Sequence, residues 1–295
     1  MRAIVDEFIA CVSKKSELQK KYLKQWNVTV EERNELNIVL NFFLEECECD
    51  IDYMAEAYLF INNMVLEETY YFVVHGKYRY STFEEVNSIV YDSQKYMEKY
   101  MMGLAISDYI WVNHIKMLRY FSDNYSKFCG ENYLEIGPGY GQYLVRALLN
   151  CKFNKYVACD ISKTSVDGSN KYLKYRNLDD KCVVVNRDFF EFDSDDIYDC
   201  IVMGEVLEHV EEPVKMLKRL HILLSDNGRA FITTVINAPT IDHISLFTSI
   251  NEVLNMVEGA DFTVVDYMCA TAGDIPLEKA VKKNKAINIA MILRK

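Results

Sequence analysis

The chain of 295 residues has only 4 Pro and 11 Gly, and with 50% hydrophobic and 26% charged residues it is neither a linker nor a collagen-like or disordered chain. It lacks any apolar run near the ~18 residues that a membrane-spanning helix needs. Asp6 and Glu7 interrupt the start before a secretory hydrophobic segment can form. These absences read as a soluble, cytoplasmic protein. Positive charge is also short: 33 Lys and Arg stand against 44 Asp and Glu, a formal net charge of −11. A field of that sign repels phosphate backbones and anionic lipid, which disfavours nucleic acid and membrane as partners. The nine Cys are an odd number without CxxC spacing, and several sit inside apolar runs, as reduced and buried thiols do. What remains is an ordinary globular composition, long enough at ~150 residues per domain for two domains.

What is present changes character midway. Up to about Asn124 the apolar residues recur at spacings of three and four, which predicts helices over 3–25, 31–46, 51–74 and 105–122. Thr82 followed by Glu85 has the spacing of a capping box and should open another helix running towards Met101. Residues 31–68 carry eleven acids and one base, a solvated helix face. From Tyr133 onwards short apolar strands alternate with helices, the pattern of a parallel sheet with crossover helices. Strands are expected at 133–137, 156–161, 182–185, 198–204, 229–235, 262–268 and 287–293, with Asp226-Asn227-Gly228 turning into the fifth. The division expected is a helical domain over 1–124, lying over a substrate, and an α/β domain over 125–295.

LEIGPGYGQY (134–143) places Gly137, Gly139 and Gly141 between a strand and a helix, where small residues admit a ligand to the backbone and the helix N-terminus. A dinucleotide fingerprint requires its third Gly at position 142, which is Gln142, so the phosphate cradle of NAD is not matched. Asp160, at the end of the second strand, is a carboxylate suited to both hydroxyls of a ribose.

With CDIS (159–162), NRDFFEF (186–192) and GEVLEHVEEP (204–213) following in order, the chain resembles the class I S-adenosylmethionine-dependent methyltransferase family over roughly residues 120–295. The resemblance implies a Rossmann-like, seven-stranded α/β sheet, mostly parallel with the last strand antiparallel, behind an N-terminal all-helical domain. It implies S-adenosyl-L-methionine as cofactor. Glu135, Gly137, Gly139 and Gly141 would meet its methionyl part, Asp160 the ribose, Ile161 and Phe189 the adenine, Asp188 the adenine amino group, and Glu205 the donor from the fourth strand.

Glu205, Glu208 and His209 stand at i, i+3 and i+4, so a helical turn would bring them to one face. Two carboxylates and an imidazole suit a divalent cation (Mg, Mn, Fe or Zn), with His243 as a fourth ligand. The Glu-x-x-Glu-His pattern is similar to that of metal-dependent O-methyltransferases of ubiquinone biosynthesis and of small-RNA terminal 2′-O-methyltransferases. Without a metal, His209 or His243 could act as general base. Helices ahead of such a core usually build the acceptor pocket, which directs attention to His75, Tyr78, Arg79 and Tyr80, and to Tyr109, Trp111, His114 and Arg119. The reading is methyl transfer to a small-molecule acceptor, O-methylation favoured. Metal-independent N-methylation and a non-catalytic donor-binding module that contacts a protein partner stay open. A homodimer through the helices is compatible with the sequence and not fixed by it.

Overall fold

The computed structural model describes residues 2–91, 93–192 and 196–295. Side-chain caps set the helix starts in the first half. Helices α1 (Val5–Lys15) and α2 (Glu17–Leu23) are divided at Ser16, whose hydroxyl accepts from the Gln19 N–H, so the single helix expected over 3–25 is two. Thr29 and Glu32 form a capping box at the start of α3 (Val30–Glu46). Asp50 caps α4 (Ile51–His75), which ends on the left-handed Gly76. The Thr82–Glu85 box forms as expected. The helix it opens, α5 (Phe83–Val86), passes at once into a π turn at Asn87–Tyr91 and is followed by α6 (Gln94–Ser107), so no unbroken helix runs to Met101; Asp92 lies outside the described residues. Helix α7 (Val112–Asp123) starts later than expected because α6 extends to Ser107 and a tight turn follows it.

The second half runs β1 (Asn132–Ile136), α8 (Gln142–Asn150), β2 (Lys155–Asp160), α9 (Lys163–Tyr175), β3 (Cys182–Asn186) and β4 (Tyr198–Gly204). Then come α10 (Pro213–Leu223), β5 (Leu224–Ile236), α11 (Ile250–Glu258), β6 (Thr263–Thr271), α12 (Leu277–Lys282) and β7 (Ile287–Arg294). The strands form one sheet in the order β3-β2-β1-β4-β5-β7-β6. β7 runs antiparallel to both its neighbours, and the other pairs are parallel. The fifth strand begins before the Asp226-Asn227-Gly228 turn rather than after it. Leu224 already pairs with Tyr198, the register jumps to Arg229 opposite Cys200, and the Ser225 hydroxyl donates to Asp199.

Strand side chains alternate between two layers. Leu134 and Ile136 face α10 and α11, while Tyr133 faces a larger cluster that continues through Phe231, Tyr172 and Phe42 to Tyr58 and Phe8 in the helical half. The first helices and the sheet therefore share one apolar interior. β1 and β4 are neighbours, yet the chain leaves β1 into the layer of α8 and leaves β4 into that of α10. Such a reversal opens a crevice at the carboxyl ends of the strands. Phe42 is 1% exposed and holds the two halves together through ring contacts to Tyr140, Tyr172 and Tyr175. Phe42→Ala should cost about 3–5 kcal/mol of stability, read as a lower urea midpoint; a loss under 1 kcal/mol would show that the halves do not depend on this contact.

Candidate active site

A cavity of about 1480 Å³ opens in that crevice, roofed by α4, the π turn and α6. Ligand pockets commonly measure ~300–1,000 Å³, so there is room for a second molecule beside a nucleoside. The floor is the glycine loop. Gly137, Gly139 and Gly141 adopt φ of 65°, 57° and 80°, and a Cβ at Gly137 would stand 2.7 Å from Val206 Cγ2. The Gly137 N–H donates to the Cys159 carbonyl, and the Ser169 hydroxyl donates to that of Gly139.

Asp160 lines the cavity at the tip of β2. Burial pushes its carboxyl up to about 6, against the N–H bonds from Ser162 and Gly139 that favour the anion. Asn186 was not singled out from sequence, yet its amide donates to the carbonyls of Asp160 and Ile161 and fixes this strand end. Ile161 is 49% exposed on the cavity, Phe189 is buried in its wall, and Asp188 lies beside Phe189 with Oδ1 accepting from the Phe190 N–H. Glu135 departs from expectation. It does not line the cavity, because on β1 it points into the layer of Tyr133, where it accepts from the Tyr133 hydroxyl and the Leu144 N–H; burial raises its carboxyl to about 8. It braces the loop from beneath.

His209 and His243 line the opposite wall and Glu208 is buried next to them without lining the cavity; one ligand atom from each of the three lies within 4.8 Å of the others. His209 Nδ1 lies 3.0 Å from the Asp242 carbonyl and His243 Nδ1 2.6 Å from that of Ala238. A carbonyl only accepts, so each Nδ1 carries the proton and each Nε2 keeps a lone pair. Glu208 is fully buried. Its Oε2 accepts from the Thr234 hydroxyl at 2.7 Å, while Oε1 has no partner among the described residues. Burial, with Glu205 nearby, drives the Glu208 carboxyl well above its ordinary value, and burial lowers His243 to about 3, which makes it a feeble base at neutral pH. The donors and the orphaned oxygen fit a divalent cation.

Glu205 does not join them. The helical turn expected from its spacing reduces to a 3₁₀ turn at Leu207–His209, preceded by a left-handed Glu205 with φ of 54° whose N–H is tied to Thr233. That reversal sends its carboxylate to the Asn288 amide at 3.0 Å, on the cavity wall with His114 and Trp111. His114 Nδ1 stands 3.1 Å from Asp108; burial disfavours its charge, but the Asp108 carboxylate outweighs burial and raises the pKa.

The other sequence candidates for the acceptor pocket are engaged elsewhere. Arg79 Nε donates to both oxygens of buried Glu68, with its guanidinium on the Tyr71 ring, and Arg119 is paired with Glu32. His75 is exposed against Tyr71, and Tyr80 packs half-buried under the roof. Tyr109 is buried, its hydroxyl donating to Gln142. Tyr78 is the exception: buried, with an unpartnered hydroxyl, its ring centroid 5.9 Å from that of His243.

A glycine loop and a strand-end carboxylate at the reversal point of this seven-stranded sheet are the features of a methyltransferase-like fold. Residues 134–230 match the family described as "Methyltransferase domain". No curated protein sequence matches the chain. Similar solved structures include the mitomycin 7-O-methyltransferase MmcR, at 15% identity and TM-score 0.56, covering 83% of this chain and 71% of that one. PigF with SAH follows at 14% and 0.55, covering 83% and 74%. The [4+2]-cyclase SpnF stands at 13% and 0.50, covering 62% and 80%. At these identities the likeness is one of fold.

Asp160→Asn tests the donor assignment. Loss of a charged acceptor is worth about 1.5–3 kcal/mol, so S-adenosylhomocysteine should bind roughly 10–150-fold more weakly by calorimetry. Wild-type affinity should fall as pH drops below about 6, where the carboxyl takes up its proton. The sign for stability is opposite. A carboxyl pKa raised in the folded state costs stability as pH rises from the ordinary value towards 6, so the variant should melt higher than wild type at pH 7 and not at pH 4. Unchanged affinity in the variant would remove Asp160 from the donor site.

Proposed function

We propose that the chain transfers the methyl group of S-adenosyl-L-methionine to an oxygen of a small-molecule acceptor, with Glu208, His209 and His243 holding one divalent cation. The observation that carries the reading is the convergence of one ligand atom from each of Glu208, His209 and His243 within 4.8 Å, with a carboxylate oxygen of Glu208 unpartnered among the described residues and each ring pinned through Nδ1 by a backbone carbonyl. Metal-binding histidines are oriented in that way. Two imidazoles with one carboxylate suit Fe or Zn better than Mg.

A cation bound there lowers the pKa of a coordinated hydroxyl and so supplies a stronger nucleophile. The chain's own residues do the rest. Asp160 and the glycine loop hold the donor, and the roof of α4 and α6 excludes water, with Met64, Met97 and Met101 on its cavity face. Two reactants held in line save ~7–11 kcal/mol of barrier, which suffices for a donor already activated as a sulfonium. A small acceptor is favoured by the net charge of −11, which opposes a polyanion.

Protein purified without a polyhistidine tag should carry close to one equivalent of a divalent metal by elemental analysis. Glu208→Ala and His209→Ala should each lose it while still binding S-adenosylhomocysteine. If wild type takes up none of Mg²⁺, Mn²⁺, Fe²⁺ or Zn²⁺, the cation reading fails, and His209 as a base towards an amine becomes the better account.

A further inference from the structure

We propose that Asp242, gripped by the Tyr100 and Tyr91 hydroxyls, is the positioning residue for His209, so that the helical half completes the cation site from behind. This rests on the reading of Glu208, His209 and His243 as ligands.

Asp242 is 2% exposed in the segment that follows β5. Both its carboxylate oxygens accept from the Tyr100 hydroxyl, at 2.8 and 2.9 Å, and Thr240 donates at 2.8 Å and Tyr91 at 3.4 Å. A phenol donates in this way to an ionised carboxylate, so an anion is kept in an apolar place. Its neighbour across the loop is His209, with Nδ1 3.0 Å from the Asp242 carbonyl and 3.5 Å from its carboxylate. The Nδ1 proton is thus faced by two acceptors of one residue. They fix the tautomer and ring plane and leave Nε2 as the nitrogen free to ligate.

The same short segment carries the rest of the site. His243 follows directly, held by Ala238, and the N–H groups of Ile244 and Ser245 both donate to the Glu208 carbonyl at 2.9 Å. Asp242 ties that segment to elements more than a hundred residues earlier, since Tyr100 stands on α6 and Tyr91 in the π turn. Removing one phenolic hydroxyl therefore leaves every ligand in the chain and disturbs only what orients them.

The test compares Tyr100→Phe and Asp242→Asn with wild type by titrating Zn²⁺ and Mn²⁺ into metal-free protein, with S-adenosylhomocysteine affinity as the check on folding. Loss of an outer partner of a metal-bound histidine typically weakens metal binding ~10–100-fold. That weakening is expected in both variants, with donor affinity held within about twofold. Nitrogen-15 spectra of metal-free protein give a second readout: His209 should be the Nδ1–H tautomer in wild type and a mixture in both variants. Metal affinity within twofold of wild type together with an unchanged tautomer would overturn the proposal. If wild type binds no metal, the cation reading alone falls, and the tautomer then decides the positioning role: a mixture in the variants upholds it and an unchanged tautomer overturns it.

Discussion

Carboxylates carried out of water around a single cavity are the constraint on which the rest of this structure depends. Each buried acid must be met by donors or by charge, or it resists ionising. Asp242 is met most fully. Burial would raise its pKa, but the neighbouring His209 and His243 and hydroxyls from Thr240 and Tyr100 outweigh burial and hold it below the ordinary value. Asp160 has two N–H donors and rises to about 6; Glu135 has a phenol and one N–H and rises to about 8. Glu208, with the Thr234 hydroxyl on one oxygen and no partner among the described residues on the other, is pushed well above its usual range. The series separates roles: the satisfied acids brace the fold, and the acids with spare acceptor capacity are the ones that a ligand must satisfy.

The backbone decides which acid faces which ligand. Glu205 and Glu208 are three residues apart, a spacing that a regular helix would turn to one side. The left-handed residue at 205 breaks that relation, and the two carboxylates end at different walls, one on Asn288 and one at the histidine pair. Their mutual repulsion still raises Glu208, so separating them is not neutral for either. It leaves a polar wall of Glu205, Asn288 and His114 facing the cavity apart from Glu208 and the histidine pair.

The strands were legible because alternation and crossover spacing are local properties, and the caps at Thr82 and Asp160's place after β2 were legible because a few neighbouring residues define them. The seven-stranded, mostly parallel sheet with an antiparallel last strand followed from the family resemblance and agrees with the structure, whereas the order of the strands was not part of that expectation. What escaped was tertiary. Nothing near Arg79 in sequence announces that Glu68, one helix back, already holds it, and nothing in the IDH tripeptide 241–243 announces two tyrosines from 91 and 100. Glu135 was misplaced for a subtler reason: the residue type matched the motif, but the period-two geometry of β1 turns it away from the cavity that Ile136 and Gly137 reach.

Helix α6 shows why the helical half belongs to the site and does not merely cover it. Its adjacent residues serve opposite walls: Tyr100 grips Asp242, while Met101 meets the glycine loop, its Cε 3.4 Å from where a Cβ at Gly139 would stand. The roof is anchored, because the same apolar interior runs from the first helices into the sheet. A fold shared with an O-methyltransferase and with a cyclase leaves the reaction open, since chemistry resides in sites built on a fold. In this chain the reaction must therefore be read from rim residues that the fold does not dictate. The most constrained of them is Glu208, whose bare oxygen is tolerable in the interior only beside a positive charge or a proton.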